Sequence, residues 1–116
     1  METGILSHLY CNSLTSYQRK LTREVKIGMV PMGGTNPIRV QSMTTTDTMN
    51  TIATVEQSIR MIEAGCEYVR ITAPSINEAK NLANIRNELH KRGYTTPLIA
   101  DIHFTPNAAE MAARIV

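Results

Sequence analysis

Residues 97–106 read PLIADIHFTP, and the fold turns on how this stretch divides. Residues 97–102 have the Leu, Ile and Ala content of a strand covered on both faces, which in a parallel sheet is an almost unbroken apolar run. Thr105 and Pro106 then carry the start of a helix, because proline at the first helical position gives up an N–H that has no partner there anyway. Between these two halves, Asp101 and His103 stand two residues apart at the strand's carboxyl end. An acid in a covered strand costs free energy unless it is paired.

Two further runs share the strand character, IRVQSM at 38–43 and EYVRIT at 67–72. The three starts lie 29 and 30 residues apart, with a helical pattern in each interval, which is the period of a βα unit. In the first interval Ile52, Val55, Ile59 and Ile62 fall on one helical face, Asn50 suits the N-cap and Gly65 the stop. The second opens with Ser75-Ile-Asn-Glu78, a capping-box pattern in which serine and glutamate each take up a free backbone amide. Its buried stripe is Ala79, Leu82, Ile85 and Leu89, and Gly93 ends it. The third helix runs from Thr105 to the end of the chain, with Ala108, Met111, Ala112 and Ile115 on its apolar face.

Strand and helix alternating three times with right-handed crossovers predicts α/β architecture with a parallel sheet under helices. Ahead of it, VKIGMVPMGGTNPIRV carries Gly28, Pro31 and a Gly33-Gly34 turn, which suits a short hairpin feeding the first parallel strand. Residues 1–20 are polar and weakly patterned, and read as a loosely ordered arm ahead of a partial barrel domain over 21–116. Three parallel strands leave two open edges, where such folds normally close or continue. The expectation is therefore the amino-terminal piece of a larger domain, truncated before its remaining strands, with edges open to self-association.

At 116 residues, 42% hydrophobic and a net charge of +2, the chain has neither the charged field of a nucleic-acid binder nor an apolar run long enough for a membrane span. The opening 20 residues lack the pattern of a secretory signal, so a cytoplasmic protein is expected. Cys11 and Cys66 lie 55 residues apart with no CxxC, which is not a metal framework. His8 and His90 read as surface residues, and Met29, Met32 and Met43 as packing.

In parallel α/β folds ligands sit beyond the carboxyl ends of the strands. Here all three ends are polar: Gln41, Ser42 and residues 44–46 on the first, Arg70 and Thr72 on the second, Asp101 and His103 on the third. Side chains alternate along a strand, so Arg70 and Thr72 share one face of theirs, and Asp101 and His103 one face of theirs. An arginine fork suits phosphate or carboxylate oxygens, and Asp with His suits hydroxyl recognition or proton transfer. The same residues admit plainer readings. Arg70 and Asp101 serve equally as a buried ion pair, His103 as a helix cap, and residues 44–48 as a hydroxyl-rich loop.

Three stretches also carry a resemblance. NPIRVQSMTTTDT, GCEYVRIT and PLIADIHF resemble the amino-terminal signatures of the 4-hydroxy-3-methylbut-2-enyl diphosphate synthase family, over about residues 22–116. The TTTDT wording and the helix start after residue 104 are most similar to that family's long, plant-like form. The resemblance implies an amino-terminal (β/α)8 TIM-type barrel, of which this chain supplies about three βα units. It implies an oxidoreductase of the non-mevalonate isoprenoid route whose substrate is 2-C-methyl-D-erythritol 2,4-cyclodiphosphate. It further implies a 4Fe-4S cluster, on ligands absent from this chain, fed by ferredoxin or flavodoxin. Carried over, Arg70 would bind diphosphate oxygens, Gln41 and Ser42 would line the floor, and Asp101 and His103 would face hydroxyl or phosphate groups. The piece alone is expected to be inactive. Two alternatives stand beside this: a pterin-binding barrel like dihydropteroate synthase, which leaves VQSMTTTDT unexplained, and a non-catalytic association module.

Overall fold

The computed structural model describes Cys11 and residues 13–116; most of the expected arm, including His8, lies outside them. Eight elements follow in order: strands β1 (Val25–Ile27), β2 (Val30–Met32) and β3 (Gln41–Met43), helix α1 (Thr51–Glu63), β4 (Tyr68–Ala73), α2 (Ile76–Lys91), β5 (Leu98–Ile102) and α3 (Pro106–Ala113). β1 and β2 form an antiparallel hairpin, while β3, β4 and β5 form a parallel sheet with β4 at its centre. This is the α/β architecture expected of a partial barrel.

The helices follow their sequence cues to different degrees. All four residues of the α2 stripe are buried, with Ala79, Leu82 and Ile85 fully so. Asn50 caps α1 by accepting a hydrogen bond from the Ala53 amide at 3.1 Å, and Gly65 and Gly93 follow α1 and α2 with positive φ, the backbone turn that glycine makes most cheaply. Two expectations need correction. Ser75 makes no side-chain bond to a backbone amide; its hydroxyl donates to the Glu78 carboxylate instead, so the two side chains satisfy each other. On α1, Ile52 is half exposed while Thr54 and Ser58 are fully buried.

β3 is three residues long rather than six. The Val40 carbonyl accepts from both Glu67 and Tyr68 amides, at 2.8 and 3.2 Å, and the Val40 amide donates to the Glu67 carboxylate. That shared, side-chain-assisted pairing delays the regular ladder until Gln41. α3 likewise stops at Ala113, with Arg114 as its C-cap.

Register sorts the sheet's two faces. Val69, Ile71 and Ala73 belong to the core with Val55, the α2 stripe, Ala108 and Ala112. The alternate residues of β4 point the other way: Tyr68, Arg70 and Thr72. They pair with Gln41, Met43, Ile99 and Asp101 on the flanking strands. Tyr68 is fully buried outside that core, and its hydroxyl donates to the Val30 carbonyl of the hairpin. Arg39 adds a second tie, donating to the Pro31 carbonyl at 2.8 Å and pairing with Glu67 at 3.0 Å. A Cβ on Gly28 would stand 2.8 Å from the Pro97 ring. The hairpin thus lies against the amino-terminal ends of the strands and leaves their carboxyl ends open.

Candidate functional site

Parallel pairing brings the carboxyl ends of β4 and β5 level, with Thr72 opposite Asp101. Arg70, one pleat lower on the same face, reaches up so that its Nη2 lies 3.1 Å from Asp101 Oδ1. His103, just past β5, brings Nε2 to 3.3 Å from Asp101 Oδ2. One carboxylate therefore holds a guanidinium on one oxygen and an imidazole on the other. The His103 bond and then the Arg70 bond and charge hold Asp101 below the usual carboxylate range.

The ion pair does not use up the arginine. Its side chain is 42% exposed against 16% for Asp101, yet Nε is shut off from solvent and has no hydrogen-bond partner. A buried unpartnered donor costs free energy, and what a ligand could reach is the exposed part of the guanidinium. That part is an anchored cation, the chemistry that matches phosphate oxygens.

Gln41 and Ser42 do not share a floor. Gln41 registers with Tyr68 and lines a recess of about 380 Å³ with Arg39 and Met32, between the sheet and the hairpin. Ser42 registers with Val69 and so lies on the opposite face, as the two-residue period of a strand requires. Structure brings together Arg70, Asp101 and His103, sets Gln41 deeper on the same side, and separates Ser42 from all four.

The loop after β3 borders a second recess, of about 340 Å³, lined by residues 44–48 with Thr72, Pro74 and Glu78. Its polar groups are largely consumed by the fold. Thr48 donates to the Thr72 carbonyl at 2.6 Å, Thr46 and Thr54 share a 2.8 Å hydroxyl bond, and Gln57 bonds both the amide and the hydroxyl of Thr45 at 2.8 Å. Asn81, buried on α2, donates to the Thr48 carbonyl at 2.7 Å and to the Thr51 hydroxyl at 3.0 Å. Sequence reasoning missed Asn81 and Gln57, since a lone amide on a helix carries no signal of the loop it will bracket.

The chain's match to known proteins has the same extent as this architecture. Residues 22–116 match the model of the GcpE TIM-barrel domain. The chain belongs to the GcpE TIM-barrel family. Its relatives include proteins of Parabacteroides distasonis, 58% identical over 98 residues, and Akkermansia muciniphila, 51% identical over 107 residues. Both are named 4-hydroxy-3-methylbut-2-en-1-yl diphosphate synthase (flavodoxin). The matches cover 84% and 92% of this chain but 16% and 18% of those proteins. This GcpE barrel segment therefore spans under a fifth of their length.

Fit to a cluster can be judged on the residues themselves. Cys11 and Cys66 are free and half-buried, and among the described residues no three His, Cys, Asp or Glu side chains gather as a metal site. The described residues therefore do not fit a 4Fe-4S centre. Among the described residues no helix is long and apolar enough to cross a membrane.

Proposed function

We propose that Arg70, Asp101 and His103 form part of an anion-binding mouth for a small cyclic diphosphate. The full-length protein that carries this segment would then be a 4-hydroxy-3-methylbut-2-en-1-yl diphosphate synthase acting on 2-C-methyl-D-erythritol 2,4-cyclodiphosphate. Reductive ring opening with loss of a hydroxyl needs two electrons, brought by flavodoxin or ferredoxin and a 4Fe-4S centre held outside this chain. What these residues contribute is binding and orientation. Arg70 takes diphosphate oxygens on the donors Asp101 leaves free. Asp101, kept ionised by its two neighbours, fixes the guanidinium and the imidazole in place. His103 presents its ring to a hydroxyl or phosphate group, and Gln41 lies below toward the hairpin floor. By itself the segment would have no reductase activity.

The observation that supports this reading is the Arg70 guanidinium, anchored to Asp101 through Nη2 at the open end of the sheet and still 42% exposed. The test is calorimetric titration of the cyclodiphosphate into the full-length protein and its Arg70→Ala variant. Loss of a charge-assisted contact should weaken binding by about 2 kcal/mol or more; unchanged affinity refutes the reading.

A further inference from the structure

Beside the cluster stands a residue that its chemistry has not used. Phe104 is the sole phenylalanine of the chain, and no described part of the chain covers its ring, which is fully exposed. Its φ is +52°, the one positive value at a non-glycine residue among those described. For a bulky side chain that backbone conformation is strained and persists only where the surroundings enforce it. The enforcement is visible on both sides. Asp101 holds His103, and the Thr105 hydroxyl lies 2.8 Å from the His103 carbonyl and 3.0 Å from the Pro74 carbonyl, tying the tips of β5 and β4 together. Among the described residues the strained ring gains no packing.

We infer that Phe104 is a ligand-contacting residue whose ring packs on the carbon skeleton of the anion held by Arg70. This rests on the anionic-ligand reading above and deepens it: polar groups fix the charged end, and an apolar wall beside them selects for a carbon frame and excludes water. Arg70 and Phe104 then divide the ligand between them. The division predicts a dependence on ligand chemistry that a residue serving only the fold cannot produce.

The experiment compares Phe104→Ala, Phe104→Gly and Arg70→Ala in the full-length protein. Each is titrated with the cyclodiphosphate and with inorganic diphosphate, which has no carbon skeleton. Both Phe104 variants should lose on the order of tenfold in affinity for the cyclodiphosphate and keep wild-type affinity for inorganic diphosphate. Arg70→Ala should lose both. Without ligand, Phe104→Ala should melt with the wild type, and Phe104→Gly above Phe104→Ala, because glycine accepts the positive φ. Unchanged cyclodiphosphate binding in the Phe104 variants, or a large fall in the melting temperature of Phe104→Ala, overturns the inference. If Arg70→Ala binds both ligands normally, the anionic-ligand reading fails on its own account.

Discussion

Two groups of polar residues occupy neighbouring strand tips, and they end differently. In the loop at residues 44–48 three of the four threonine hydroxyls bond to partners within the protein, and Asn81 and Gln57 bracket the backbone from α2 and α1. On β4 and just past β5, Arg70 and His103 both bond Asp101 and still leave 42% of the Arg70 side chain exposed. The difference teaches that polarity at a strand end is no index of a site. What distinguishes a binding group is capacity left over after the fold has taken its share.

The contrast can be broken by substitution. The largest stability effect should come from Asn81→Leu, which leaves the Thr48 carbonyl without its donor in a buried setting; about 2 kcal/mol of folding free energy should be lost in urea unfolding. Strong ligand-affinity loss at intact stability would show that the bracket belongs to the site. Thr46→Val removes one partly buried hydroxyl bond and should cost about 1 kcal/mol by the same measurement, with ligand affinity preserved. Asp101→Asn should have the smallest effect on stability near neutrality, and its signature is in pH. Because the folded carboxyl sits below its ordinary value, its contribution is complete above the usual carboxylate range and is lost as pH falls through the lowered folded value. The stability gap between wild type and Asp101→Asn should therefore narrow as pH falls from about 6 to 2 across that range. A gap that widens on acidification would reverse the assigned shift.

Much of this was legible from residue order alone. The α2 stripe is fully buried because a helix packed along its length obeys its 3.6-residue period. The meeting of Arg70 and His103 on the Asp101 carboxylate followed from alternation and neighbouring parallel strand ends. α1 was harder to read. Thr54 donates to the Asp47 carbonyl and Ser58 back to the Thr54 carbonyl, so their hydroxyls are buried at little cost, while Ile52 stays half exposed. Polarity misleads where a hydroxyl finds a local acceptor. Alternation also separates Gln41 from Ser42, which their shared place at a polar strand end and the family resemblance had joined. Phe104 carried no cue, since neither its φ nor its exposure is written in residue type.

The hairpin closes one end. Tyr68 and Arg39 fasten it beneath β4, and Gly28 abuts Pro97, so the three-stranded sheet is anchored from below, and a partner of Arg70 would approach it from the opposite end.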